Sequence, residues 1–156
     1  MTEDRPRDEV ERLEVQHVLD LRVRVLRRGT PVAHANYAED NDPAAVHLGV
    51  IRNGEVIATS TWIPRPFPVD PSRRAIQLKG MAVDSGLQRS GLGRLLIGAG
   101  LDHAASMGAE LVWARARDSA LGFYESCGFD VIGDGFIDDP TAMPHHHVVT
   151  RVAAND

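Results

Sequence analysis

With 156 residues, 43% of them hydrophobic, the chain is the size of one domain that buries about two thirds of its unfolded surface. A formal charge of −5 and a pI near 5.8 argue against a general nucleic-acid or membrane-surface binder, which needs a basic face, so neither kind of partner is expected. The single cysteine, Cys127, excludes an internal disulfide, and a charged N-terminus without a signal-peptide apolar run makes a cytoplasmic location the expectation.

Residues Met1 to Glu9 are charged, carry Pro6 and have no period, which predicts a flexible tail ahead of a domain spanning 10–156. Val10 to Leu13 reads as a short strand. Val15, Val18, Leu19, Arg22, Val25 and Leu26 then form one helical stripe that stops at Gly29. Arg22, on the apolar side of that stripe, is either a buried, paired arginine or one that snorkels to the surface. Thr30 to Pro43 is polar and reads as a long loop able to cover a substrate site. Val46 to Ile51 and Val56 to Ile63 are β-rich runs joined through Asn53-Gly54, a strong hairpin signal. Pro64, Pro66, Pro68 and Pro71 forbid regular structure before Ala75.

Ala75 to Val83 is the next strand, Gly91 to Met107 a helix with Leu92, Leu95, Leu96, Ala99 and Met107 turned inward, and Ala109 to Ala116 a further strand. Together they make a right-handed βαβ unit with parallel strands. Asp118 reads as the cap of a short helix that runs through Cys127 and closes at Gly128. Last come strands near Asp130 to Ile132 and His146 to Val152. Trp62 and Trp113 fall in strand runs and read as core.

The turn inside the βαβ unit is Gln88-Arg89-Ser90-Gly91-Leu92-Gly93. N–H groups at a helix start have no intrahelical partner and lie at the positive end of the helix dipole, so they favour a bound pyrophosphate. Gly91 and Gly93 let an anion approach, and Arg89 and Arg94 add charge at the rim. Leu96 replaces the third glycine of a dinucleotide fingerprint, and Gly93-Arg94-Leu95 lacks the Gly-Lys-Ser/Thr ending of a P-loop.

The segment resembles instead the acetyl-CoA loop of the GNAT superfamily of N-acetyltransferases, Arg/Gln-x-x-Gly-x-Gly/Ala, through Gln88, Gly91 and Gly93. The preceding strand Leu78 to Val83 and the later Phe123-Tyr124-Glu125-Ser126-Cys127-Gly128-Phe129 stand in that family's order. Leu21-Arg22-x-x-Val25-Leu26, Leu78-x-Gly80-Met81-Ala82 and Pro144-His145 are similar to its ElaA-like branch. The resemblance implies an α/β (α+β) single-domain fold, a mixed sheet of six to seven strands flanked by helices, with strands Ala75–Val83 and Ala109–Ala116 parallel and splayed. It implies acetyl-CoA held by Met81, Ala82, Val83, Gln88, Arg89, Ser90, Gly91, Leu92, Gly93 and Arg94, and transfer of acetyl by direct attack to a primary amine of a small molecule or peptide. It also implies Tyr124 as general acid, and places His145 beside the acceptor as a further catalytic candidate.

A half-buried core tyrosine is the competing account of Tyr124, and a strand irregularity that of Gly80, beside the main chain expected to meet the pantetheine arm. Asp118 stands where many family members carry an asparagine that touches that arm. The base is expected among His47, Glu39 and the cluster His145-His146-His147. Consecutive strand residues alternate faces, so at most His145 and His147 share a site, and nothing spaced to complete a metal set accompanies them. Cys127 reads as core rather than nucleophile. The rival to an acetyltransferase, as a monomer or homodimer, is a CoA-binding regulatory module without catalysis.

Overall fold

The structure, a computed structural model, describes residues 8–30, 32, 34–138 and 141–153. Of the expected tail, Met1 to Arg7 lie outside the described residues. The chain runs β1 (Glu11–Leu13), α1 (Leu19–Leu26), β2 (Val46–Arg52), β3 (Glu55–Pro64), β4 (Ala75–Val83), α2 (Leu92–Ser106), β5 (Leu111–Arg117), α3 (Leu121–Ser126), β6 (Asp130–Asp138) and β7 (Met143–Arg151). The strands form one seven-stranded sheet in the order β1-β2-β3-β4-β5-β7-β6. All neighbours are antiparallel except β4 and β5, which are parallel across the α2 crossover. No helix among the described residues is long and apolar enough to cross a membrane.

The local signals account for most of these elements. Asn53 and Gly54 both take positive φ, 51° and 77°, as a tight hairpin turn matched to strand twist requires, and Arg52 pairs with Glu55 beside it. Val46 to Gly49 and Ile57 to Ile63 are buried without alternation because helices cover both faces. On β3, Trp62 meets α2 while its neighbour Thr61 meets Arg22 of α1, so the two helices lie on opposite sides.

The helical stripe between Val15 and Gly29 divides into a single turn at Val15–His17 and α1, and Leu21, rather than Leu19, is buried beside Arg22. On α2 the buried residues are Leu92, Leu96, Ile97, Gly100 and Ala104. Leu95 and Met107, expected inside, are 40% and 54% exposed. The stripe steps by four residues through Gly100, where the helix rides on Trp62, and this rotation carries Leu95 and Met107 to its flank. Between the expected strands Asp130 to Ile132 and His146 to Val152 the described residues are mostly strand as well: β6 extends to Asp138 and β7 begins at Met143, the two in register from Phe136↔His145 to Asp138↔Met143.

A Cβ at Gly100 would stand 1.8 Å from Trp62 Cζ2. Gly100→Val is therefore expected to lower stability by about 1–3 kcal/mol or more through overpacking. Gly98→Ala, with nothing within 4 Å of its Cβ, is expected to gain up to about 1 kcal/mol from helix propensity. Urea midpoints of both variants check this, and equal effects would refute it.

Candidate functional site

The site begins where two parallel strands part. β4 and β5 pair only from Ala75↔Leu111 to Leu78↔Ala114. Beyond that, Thr59 pairs with Ala82 and Thr61 with Lys79, so Gly80 and Met81 together oppose Ser60. This is a bulge, with Gly80 at φ +61°, and bulges bend the strand that carries them. The β5 side of β4 from Lys79 to Val83 is left without a ladder partner, along a cleft of about 460 Å³. The strand-irregularity account of Gly80 is the one observed, and the group that approaches it is Arg22, whose Nε would lie 2.8 Å from an added Cβ.

One wall of the cleft is the face of β5 and β7 that carries Trp113, Arg115 and Arg117 opposite Val149, His147 and His145. His145 is buried, and its Nδ1 lies 2.8 Å from the Met143 carbonyl oxygen. That contact requires the N–H at Nδ1, so in the neutral ring Nε2 is the acceptor. Phe136 stacks on the His145 ring at 5.9 Å, which holds its orientation. His147 packs edge-on to Phe67 and Trp113; burial, then the nearby Arg115, holds it below the ordinary histidine pKa. His146 points elsewhere and meets Asp118 at 2.6 Å.

Tyr124 lines the cleft together with Ala120 and Phe123. It is 6% exposed, with the rings of Phe123 and Phe129 edge-on at 5.3 and 5.4 Å. Burial pushes its phenol above the ordinary range, so it keeps its proton. It is both the core tyrosine and a group on the cleft. Cys127 is half-buried and packs against the main core.

The glycine loop lies beyond the cleft, and none of Gln88 to Arg94 lines it. Leu95 N–H donates to Gly91 at 3.0 Å, the first bond of α2, so the N–H groups of Leu92, Gly93 and Arg94 have no helical acceptor. Gly91 takes φ +89° with open space where a Cβ would be. Gly93 has a packing role that the expectation did not include: its Cβ would meet the Phe123 ring at 2.9 Å, so its small size lets α3 pack against the helix start. Arg94 donates to the Ser126 carbonyl and hydroxyl, both at 3.1 Å, and ties α2 to the end of α3. Of the three strand residues expected beside this loop, Met81 lines the cleft, Ala82 is buried and Val83 half-buried.

Three expectations about side chains are corrected. Asp118 does not cap α3; the residue ahead of that helix is Ala120, without a side-chain cap, while the Asp118 carboxylate faces His146. Asp118 opens a single turn, Asp118–Ala120, and so stands three residues ahead of α3, where its side chain reaches β7 instead of the helix start. His47 does not line the cleft. Its ring sits between Thr61 Oγ1, 2.8 Å, and the Asp40 carbonyl, 3.3 Å. Glu39 is ion-paired with Arg65 at 2.9 Å and Lys79 at 3.3 Å; burial raises its carboxyl, but its own backbone bond and these cations outweigh that and hold it low. A carboxylate so paired is a poor base. Among the described residues, no group of three His, Cys, Asp or Glu is placed to hold a metal.

Beneath the cleft lies a buried polar cluster. Arg22, fully buried, forks onto Asp40 at 2.8 and 2.9 Å and also donates to Thr61 and the Ala35 carbonyl. Its guanidinium lies 4.5 Å from the Tyr37 ring, and Lys79 lies 4.3 Å from the same ring. Of the two accounts of Arg22, burial with pairing is correct. His47, His103 and His147 are all held below the ordinary histidine value, each chiefly by burial. Folded they resist a proton that the unfolded chain accepts near pH 6.5, so their stabilisation is complete above that pH and is lost as pH falls through their lower folded values. Unfolding free energy from urea titration is expected to drop between pH 7.5 and 5.5; a flat profile would contradict it.

The residues unforeseen from sequence are those that colour the cleft: Arg27, Tyr37, Gln77, Arg115, Arg117, Phe136 and Asp138 all line it or flank its histidines. The alternation of Trp113, Arg115 and Arg117 carried a usable signal; the others come from distant loops and strand ends. The loop expected to cover a substrate site, Thr30 to Pro43, contributes His34 among others, the proline-rich crossing contributes Arg65, and the β6–β7 turn contributes Thr141.

Comparison with known proteins adds to this geometry. The model of the Acetyltransferase (GNAT) family matches residues 12–129. An uncharacterized N-acetyltransferase of Bacillus subtilis (strain 168), YitI, is 30% identical over 143 residues, 92% of this chain and 95% of that protein. The crystal structure of Escherichia coli ElaA superposes with a TM-score of 0.73 at 19% identity, covering 92% of this chain and 99% of ElaA. An aminoglycoside 6'-N-acetyltransferase complexed with coenzyme A gives a TM-score of 0.71 at 12% identity, over 95% and 99% of the two chains.

Proposed function

The chain belongs to the GNAT acetyltransferase family and is an acyltransferase, and we propose that it moves acetyl from acetyl-CoA directly to a primary amine held in the cleft between β4 and β5. The observation that carries this reading is the convergence on one cleft of an unpaired strand edge, a proton-bearing phenol and a histidine with a free ring nitrogen.

The donor side fits an elongated phosphate-bearing group. The unpaired N–H groups at the start of α2, after the open φ +89° position at Gly91, suit a pyrophosphate, as the aminoglycoside 6'-N-acetyltransferase structure contains coenzyme A. The unpaired edge of β4 at Met81 offers main-chain donors and acceptors toward an acyl-bearing arm. Bound there, acetyl-CoA supplies an activated thioester.

His145 Nε2 takes the proton that the attacking amine must lose, with its Nδ1–H anchored on Met143. The N–C bond forms as the C–S bond breaks, and Tyr124 returns a proton to the departing sulfur. A phenol that burial keeps protonated is suited to that role. Neither step calls on Cys127.

Release of free thiol from acetyl-CoA on addition of a broad amine panel tests the proposal. Amine-dependent release is expected; CoA binding without amine-dependent release would support the non-catalytic module instead.

A further inference from the structure

The cleft is cationic in a chain that is acidic overall. Arg27, Arg65, Lys79, Arg115 and Arg117 line it, against a single lining carboxylate among the described residues, Asp138. Three of the five have acidic partners: Arg115 with Asp138 at 2.8 Å, and Arg65 and Lys79 with Glu39. Arg27 and Arg117 have none among the described residues. Arg27 donates through Nε to the His34 carbonyl at 3.0 Å, and Arg117 through Nη2 to the Leu26 carbonyl. A guanidinium carries five N–H donors, so both keep forks to offer. Burial, followed by the charge of Arg27, works against the Arg117 cation. Tyr37 and Asp138, the latter already engaged by Arg115, offset only part of this, and a bound anion in contact with both guanidinium groups relieves the rest.

Position says where that anion belongs. Arg117 pairs directly with His145 across β5 and β7, and side chains so paired stand about 5 Å apart at Cβ. An oxyanion on Arg117 therefore brings an amine one or two carbons away to His145. At the floor, Gln77 is 2% exposed and its Oε1 has no partner among the described residues; a half turn of its amide exposes either a donor or an acceptor to a ligand.

From this arrangement we infer that the acceptor is an amine that also carries an oxyanion, a free amino acid or similar zwitterion, gripped by Arg27 and Arg117, and not a polycation. The inference rests on the acetyl transfer proposed above but has a separate readout. The twenty common amino acids, each beside its own carboxamide, are assayed for thiol release at saturating acetyl-CoA, with O-phosphoethanolamine, phenethylamine and kanamycin as further arms. In parallel, binding of the same compounds is followed by tryptophan fluorescence, which needs no turnover.

At least one acid is expected to exceed its carboxamide at least 100-fold in kcat/KM. Arg27→Gln and Arg117→Gln are expected to raise KM for that acid about 10- to 100-fold, collapse the acid-to-amide ratio and leave KM for acetyl-CoA in place, with Arg117→Lys restoring part of the loss. Preference for O-phosphoethanolamine keeps the oxyanion and changes its source to phosphate. Preference for carboxamides, phenethylamine or kanamycin overturns the inference, as does a rise in the acetyl-CoA KM alone, which would assign the arginines to the donor. Selective binding of an acid without thiol release upholds the inference and overturns acetyl transfer; no selective binding and no release overturns both.

Discussion

Asp40→Ala is expected to destabilise the fold by about 3–5 kcal/mol, the cost of stranding a buried charge. Arg22 is fully buried, and the Asp40 carboxylate satisfies both of its terminal nitrogens. Without Asp40 the guanidinium retains, among the described residues, Thr61 and the Ala35 carbonyl, while its Nε has no partner among them even in the parent. Asp40 also accepts the Tyr37 N–H at 2.8 Å, so the substitution loosens the turn that brings Tyr37 to the cleft. Urea unfolding gives the magnitude, and a loss under about 1 kcal/mol would show that Arg22 finds solvent or another partner. The double variant Arg22→Met with Asp40→Leu separates charge from packing. Replacing both ions by apolar groups is often close to neutral, so the double variant is expected to recover most of the loss.

Tyr124→Phe is expected to lower kcat by about 10²–10⁴, the usual worth of a positioned proton donor, with little change in KM for acetyl-CoA. The ring contacts with Phe123 and Phe129 survive the substitution, so stability is expected to hold and the loss to lie in the chemical step. Because burial lifts the phenol, the parent is expected to keep its Tyr124-dependent rate at least to pH 10. Steady-state rates with an amine acceptor decide the matter: a variant that turns over like its parent removes Tyr124 as the proton donor.

How much of this was legible varies residue by residue. The glycine-spaced turn, its flanking strand and helix, and Phe123 to Phe129 were readable because each feature depends on neighbours a few positions away. Asp118 was misread for the complementary reason. Its partner His146 is 28 positions later, and a local rule sees only the helix that follows. Leu95 and Met107 are apolar at near-helical spacing, yet the position of Trp62 on β3 decides which side of α2 turns inward. His47 and Glu39 carried the right chemistry for a base, and only the packing around Arg22, Arg65 and Lys79 removes them from that role.

The order of elements, the hairpin turn, the parallel pair around α2 and the helix start suited to phosphate were all present in the chain as written, since backbone sterics, periodicity and orphaned helix N–H groups are short-range properties. The splay at Gly80, the cationic lining at Arg27 and Arg117, and the setting of His145 against Met143 and Phe136 required the folded sheet. They are sums of contacts between strands and loops far apart in sequence, and burial, which sets both charge cost and proton affinity, exists only once those segments meet.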